Sequence, residues 1–205
     1  MKVLITGGNG DIAKAIRDLL IEKGYDVFAP GRDTLDVTNL NSIEDVISNY
    51  KPDILINNAG YVVPQSIKNA DTSRTIKHIE INLTGTFLCT EIGLKYNKNL
   101  KIVNVGSAAS IESHSTWSEY CATKAGVAMA TKCWAEDGID VVCISPGRTK
   151  TKMRKSLFPD EDQNTLLNTE DFAKVVFKAI ENGFEKGSNI IVRKQNVEML
   201  LKGEK

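Results

Sequence analysis

Short runs of uninterrupted apolar residues, each followed by a stretch of helical periodicity, govern what this chain can fold into. KVLIT, DVFA, DILINNAG, KIVNVGS, DVVCISPG and SNIIVRK are such runs. A strand with one wet face alternates apolar and polar residues; a strand covered on both faces is apolar throughout, as in parallel sheets. The segments between them are amphipathic. Ile12, Ala15, Ile16, Leu19 and Leu20 share one helical face, as do Ile43, Val46, Ile47 and Tyr50, and Phe172, Val175, Val176, Ala179 and Ile180. Helical patterns also run from about Ser73 to Leu94 and from about Trp117 to Ala135. Gly24 marks a helix stop, and Asn41 with Glu44 has the spacing of a capping box. LDV at 35–37 reads as a short third strand. Alternating strands and helices predict an α/β, doubly wound parallel sheet in three layers (α/β/α), as a single domain over residues 1–205. Only the stretch 148–168 lacks a pattern. Its length suits a functional loop, here a substrate lid.

Composition narrows the function. The chain carries 26 Lys plus Arg and 26 Asp plus Glu, so its formal net charge is zero. That argues against a general nucleic-acid or membrane-surface binder. No run reaches membrane-spanning length, and MKVLITGGNG has too short an apolar run for a signal peptide. Cys89, Cys121, Cys133 and Cys143 lack paired spacing and sit in apolar segments, which predicts reduced core thiols and a cytoplasmic protein. His78 and His114 have no carboxylate or cysteine at ligand spacing, so no metal site is expected.

The first chemical motif is TGGNGDIA, Thr6 to Ala13, placed between the first strand and the first helix. Gly7, Gly8 and Gly10 permit positive φ and close approach by a phosphate. The helix start beyond them offers unpaired N–H groups and partial positive charge. Gly7, Gly8, Asn9, Gly10, Asp11 and Ile12 are therefore candidate cofactor contacts. The residue after the second strand discriminates between nucleotides: an acid there binds the ribose hydroxyls of NAD, a base the 2′-phosphate of NADP. FAPGRD places Arg32 there, with Asp33 next. Arginine grips a phosphate with two donors, so NADP(H) is favoured over NAD(H). Asp33 on a ribose is the competing reading.

The second motif is SEYCATKAG. Tyr120 and Lys124 lie four residues apart and share a helical face. A free phenol has a pKa of about 10. A nearby ammonium lowers it and prepares the phenol for proton transfer at a carbonyl or alcohol oxygen. Ser107 closes the strand KIVNVGS, at the end where α/β sheets bind ligands. NNAG (Asn57 to Gly60) and SPGRTKT (Ser145 to Thr151) close two more strands, and Asn82 sits inside a long helix that does not favour it.

In this order, TGxxGxxA, NNAG, an internal Asn, Ser, YxxxK and PG resemble the short-chain dehydrogenase/reductase family over nearly the whole chain, from Lys2 to Val192. The resemblance implies a Rossmann-type fold, a nicotinamide cofactor and a homodimer or homotetramer. It implies that Tyr120 is the general acid/base and that Ser107 polarises the carbonyl. Lys124 would lower the Tyr120 pKa and bind the nicotinamide ribose, and Asn82 would help hold a water in a relay from Lys124. Asp36 and Val37 match adenine-contacting positions, and Asn58, Ala59 and Gly60 pack beside the adenosine. Pro146, Gly147, Thr149 and Thr151 match the segment around the carboxamide and pyrophosphate. Ala125, Ala128 and Met129 suit a subunit interface, or an ordinary helix-on-sheet contact.

Two departures bear on the substrate. The glycine loop is one residue shorter than the commonest form of the motif, with Ala13 at the last glycine position, and FAPGR runs almost directly into TLDVT. Both features resemble the branch that acts on sugar nucleotides, yet the C-terminal region is too short for a separate sugar-nucleotide domain to be expected in it, and the serine-to-tyrosine segment and PGRTKT resemble the simpler branch. In the lid, Arg148, Lys150, Lys152, Arg154 and Lys155 either attract an anionic substrate or form a solvated charge run. Leu157 and Phe158 either close over a substrate or cover the core. The expected protein is an NADP(H)-dependent oxidoreductase interconverting a carbonyl and a secondary alcohol on a small molecule, with a sugar, polyol or sugar phosphate as the candidate substrate. A catalytically silent NADP-binding sensor or scaffold, and a dehydratase or epimerase with tightly held cofactor, are the alternatives.

Overall fold

The inner strands of the sheet send their alternate side chains into two different cores. In the computed structural model, which describes residues 1–203, six parallel strands form one sheet in the order β2-β1-β3-β4-β5-β6. The last two residues of the expected 1–205 domain lie outside the described residues. In chain order the elements are β1 (Lys2–Ile5), α1 (Asp11–Glu22), β2 (Asp26–Phe28), α2 (Leu40–Tyr50), β3 (Ile54–Asn57), α3 (Thr72–Ile79), α4 (Gly85–Tyr96) and β4 (Lys101–Val105). They continue with α5 (Ser118–Glu136), β5 (Val141–Pro146), α6 (Lys152–Leu157), α7 (Thr169–Ile180), β6 (Asn189–Val192) and α8 (Val197–Lys202).

Val3, Ile5, Ile54, Ile56, Val103 and Ile144 face one side of the sheet, where Ile16 and Leu20 of α1 and Phe172 and Val176 of α7 cover them. Leu4, Leu55 and Ile102 face the other side, against Ile43 and Ile47 of α2 and Cys89 and Ile92 of α4. Each such buried side chain contributes roughly 1.5–3 kcal/mol. Between β3, β4 and the helices over them runs a polar ladder. Asn57 Nδ2 donates to Thr90 Oγ1 (3.0 Å) and Asn104 Oδ1 (2.9 Å), and Asn104 Nδ2 donates to Thr131 Oγ1 (2.9 Å). Buried amides of this kind tie neighbouring elements into one register.

The chain steps from β1 outward to β2, then crosses back to place β3 on the other side of β1. Such a reversal opens a crevice at the strands' carboxyl ends. Two glycines shape it. Gly7 has φ +69°, and a Cβ there would lie 2.9 Å from Ala59 Cα. A Cβ on Gly8 would lie 1.9 Å from Ala29 O, because Gly8 N–H donates to Pro30 O at 2.8 Å. Of the three loop glycines only Gly7 has positive φ; at Gly8 the neighbouring chain at Ala29 and Pro30 leaves no room for a side chain.

Several expectations are corrected. Leu35–Val37 is not a strand. Gly31 O accepts from Thr34 N and Leu35 N, which turns the chain, and Asp36 N donates to Ser42 Oγ instead of to a sheet partner. Asn39, not Asn41, caps α2 by accepting from Asn41 N and Ser42 N. Glu44 is engaged elsewhere, with Lys95 (2.8 Å) and Tyr96 of α4. The long helix is present, but residues Glu80–Thr84 form a π turn between α3 and α4. The patternless stretch 148–168 contains α6 and a 3-10 turn. Cys89 and Cys143 are core thiols, whereas Cys121 is half-buried and Cys133 is exposed on α5.

The Gly8 contact generates a stability prediction. Gly8→Ala should destabilise by about 3 kcal/mol, lowering the thermal midpoint by roughly 6–12 °C. In Gly10→Ala the new Cβ would meet only Gly7 O at 3.4 Å. That midpoint should stay within about 3 °C of the parent. Parallel calorimetric scans of the two variants check this.

Candidate active site

Thr6 hooks the end of β1 to the end of β3. Its hydroxyl accepts from Asn58 N (3.0 Å) and Ala59 N (2.9 Å), and Asn58 Nδ2 donates back to Thr6 O (2.9 Å) and Gly7 O (3.3 Å). The glycine loop then delivers α1. Gly10 is its N-cap and makes no side-chain cap, so the first-turn N–H groups face the crevice without a capping oxygen. The Asp11 carboxylate accepts from Lys152 N at 2.6 Å, tying the start of α6 to the start of α1.

Arg32 stands at the end of β2 with its side chain 65% exposed, and its Nε donates to Asp36 Oδ2 at 3.0 Å. Partial burial works to raise the Asp36 pKa, but bonds from Thr38 and Arg32 outweigh it and the net shift is downward. Val37 is in the core, pressed against Gly85, where an added Cβ would meet Val37 Cγ2 at 2.8 Å. It shows little surface to a ligand.

Beyond Gly60 the chain becomes an extended strap, held at every second residue. Asn82 accepts from Tyr61 N (2.7 Å) and donates to Tyr61 O (2.8 Å). His78 Nε2 accepts from Val63 N (3.2 Å) while Nδ1 faces Arg74 O (2.8 Å), which assigns the proton to Nδ1. Gln65 N donates to Thr116 O, and Gln65 Nε2 donates to Glu119 Oε1 (2.9 Å) and Thr75 Oγ1 (3.0 Å). Burial alone would raise the Glu119 pKa, but backbone, Gln65 and Ser118 donors bring it below the ordinary carboxylate value. With 61, 63 and 65 clamped from behind, Val62 and Pro64 line a cavity of about 1190 Å³.

Ser107 lies at the other side of that cavity, where β4 ends, and its Oγ accepts from Ala109 N at 3.2 Å. Tyr120 reaches the same cavity from the first turn of α5. Burial raises the Tyr120 pKa, and the Ser107 hydroxyl partly offsets this. Lys124, one turn on, is 5% exposed and donates to Val105 O at 2.8 Å. Burial lowers its pKa to about 8. Its Nζ is 5.9 Å from the Tyr120 ring centre. Against expectation, the net Tyr120 shift is upward rather than downward, with burial as its main cause, and the Lys124 ammonium is bonded to Val105 O. The Asn82 carboxamide meets the Tyr61 backbone and, at 3.4 Å, Thr123 Oγ1 rather than Lys124.

Ile12, Pro146, Gly147, Thr149 and Thr151 line the cavity as well. Thr149 and Leu167 form a bridge, with Leu167 N donating to Arg148 O and Lys150 N to Leu167 O at 2.9 Å each. The 148–168 segment is thus pinned at its base. Within it, Glu161 accepts from Arg154 (2.7 and 2.8 Å) and from Arg148 (3.3 Å). Ser107, Tyr120, Pro146, Gly147, Arg148, Thr149 and Thr151 meet around one space, with Lys124 buried one helical turn from Tyr120, while the loop residues Gly7–Asp11, Arg32, Asp36 and Asn58–Gly60 are not among its lining residues. Val62, Pro64, Trp117 and Arg193 also line the cavity and were missed in the sequence. Trp117 carried a signal, an aromatic residue three positions before Tyr120 at a helix start.

The model of the family described as short chain dehydrogenase matches residues 33–162. A benzil reductase ((S)-benzoin forming) of Bacillus cereus is 29% identical over 232 aligned residues, covering 89% of this chain and 93% of that protein. The 3-oxoacyl-(acyl-carrier-protein) reductase FabG of Vibrio cholerae is 30% identical, over 80% of this chain and 79% of its own. Among solved structures, ElxO with NADP bound superposes with a TM-score of 0.82 at 24% identity, covering 93% of this chain and 96% of that one. The fold, the order of the motifs and these relatives agree: the chain belongs to the short-chain dehydrogenase/reductase family of oxidoreductases.

Proposed function

We propose that this protein is an NADP(H)-dependent oxidoreductase that interconverts a carbonyl and a secondary alcohol. The observation that carries the reading is the meeting of the Ser107 and Tyr120 hydroxyls in one cavity, with the Lys124 ammonium buried behind them. The uncapped start of α1, a twelve-residue helix, and the side-chain-free approach at Gly7 fit a dinucleotide phosphate. Arg32, exposed at the end of β2, fits a 2′-phosphate. The named reductase relatives and the NADP-bound fold neighbour support the same reading. When bound, a dihydronicotinamide would supply the hydride.

The chain's own residues then have these tasks. Ser107 Oγ and Tyr120 Oη hold the carbonyl oxygen. The raised Tyr120 pKa keeps the phenol protonated at neutral pH, so it is ready to donate to that oxygen in the reducing direction. Lys124 holds the ribose side and, being buried, exchanges its proton near neutrality. Asn82 serves the site by fixing the strap at Tyr61. A silent sensor has no use for this set of proton-handling groups. The free thiols accord with a cytoplasmic location, and no helix among the described residues is long and apolar enough to cross a membrane. Exposed Phe87 and Met129 on α4 and α5 support a homo-oligomer through those helices.

Three measurements test this. Tyr120→Phe should lower turnover by about 10²–10⁴-fold while NADPH binding is retained; preserved turnover would sink the mechanism. Arg32→Ala should weaken NADPH binding roughly 10–100-fold and leave NADH binding unchanged, as followed by nicotinamide fluorescence. A parent protein that prefers NADH would overturn the cofactor assignment. Cofactor affinity of the free protein should fall as pH rises through about 8, because the folded-state Lys124 value lies below the ordinary lysine range and the ammonium is lost there. Lys124→Met should bind more weakly and lack that step.

A further inference from the structure

The cavity beside Tyr120 has an aromatic wall. The Trp117 ring meets the Tyr120 ring edge-on, with centres 5.5 Å apart and planes at 86°. On its other side Trp117 lies 6.1 Å from the Phe158 ring at 31°. Phe158 comes from the lid, and the Arg154 guanidinium stacks on it at 3.9 Å. Arg154 is itself held by the two oxygens of Glu161. The wall is therefore fixed on both sides, from α5 and from the lid. Phe158 is nevertheless 36% exposed and Met153 beside it 49% exposed. Val62 and Pro64, presented by the strap, add further apolar lining.

The charged lining is largely paired within the protein, although His114, Ser115 and Gln195 also line the cavity. Arg148 and Arg154 share Glu161, Arg193 pairs with Glu112, and Lys194 donates to Asn164 O. Thr149 donates to Gly147 O, Thr151 accepts from Arg154 N, and Thr165 donates to Asp162 O. A sugar or sugar phosphate would need several of these groups, and taking each one would leave a protein partner unsatisfied. The hydroxyls of Ser107 and Tyr120 are the ones placed for a single oxygen. A ring bonded directly to the carbonyl carbon whose oxygen they hold would lie beside Trp117. There it gains edge or offset contact beyond the area it buries.

We propose, resting on the oxidoreductase reading above, that the site takes a planar aromatic ketone, and that Trp117 and Phe158 are the residues that select it. The test compares NADPH consumption by the full chain with 1-phenyl-1,2-propanedione, with 2,3-butanedione and with dihydroxyacetone phosphate. The aryl dione should exceed both others in kcat/KM by at least about 10-fold. Trp117→Ala should bring the aryl-to-aliphatic ratio close to one, mainly through a KM rise of roughly 5–30-fold for the aryl dione. Trp117→Phe should restore most of the ratio. Phe158→Ala, which leaves α5 untouched, should lower the ratio as well. Equal or better use of butanedione or the sugar phosphate overturns the proposal, as does a parallel loss on both diones. Calorimetric binding of the aryl dione to Tyr120→Phe with NADPH separates the two readings. Binding there with no turnover of any carbonyl by the parent would uphold the aromatic site and overturn the oxidoreductase reading. Turnover of other carbonyls with no aryl binding would do the reverse.

Discussion

No side chain fits where β1 leaves the sheet. Gly7 abuts Ala59 and Gly8 abuts Ala29, so the chain passes between the ends of β2 and β3 at backbone contact distance. That contact sets where α1 begins and how it points. It also brings Thr6 within reach of Asn58 and Ala59, which fixes the exit of β3. The strap that walls the cavity starts three residues later. Cofactor end and substrate end are thus positioned by one packing constraint, and the apolar cores beneath serve to hold it still.

Burial then tunes the chemistry in two directions at once. Removing water disfavours charge, so it raises a phenol and lowers an ammonium. Tyr120 and Lys124 show those opposite shifts from the same cause. The Lys124 ammonium keeps a partner in Val105 O, and Tyr120 keeps one in Ser107. Asn82 belongs to this arrangement through geometry. It sits in a π turn, where the helix carries one extra residue per turn, a feature that recurs at functional sites. There its amide meets both the N–H and the C=O of Tyr61.

Much of the fold was legible because continuous apolar runs leave few alternatives. All six strands of the sheet follow from that pattern, as do α1, α2, α5 and α7, whereas α6 lies in the stretch without one. LDV failed because apolar residues also occur in turns that tuck under a helix; Leu35 and Val37 are buried without pairing. The Asn41 cap failed because Asn39 offered the same chemistry two residues earlier and Glu44 had partners on α4. At the site, Ser107, Tyr120 and Lys124 were readable from their spacing and their places on strand and helix ends. The direction of the Tyr120 shift was not, since it depends on how much water the fold excludes. Nor were His78, Gln65 and Glu119, whose partners are brought together by a loop that has no periodicity to read.

The alternation along the strap separates two demands on one segment. Tyr61 and Val63 are secured through their backbone amides to Asn82 and His78, and Gln65 through its amide to Thr116 O and its carboxamide to Glu119 and Thr75, while Val62 and Pro64 line the cavity. A change of side chain at 62 or 64 therefore alters the shape of the cavity while the anchoring contacts stay in place. The shape of the cavity and the hold on the strap thus rest on different residues of one short segment.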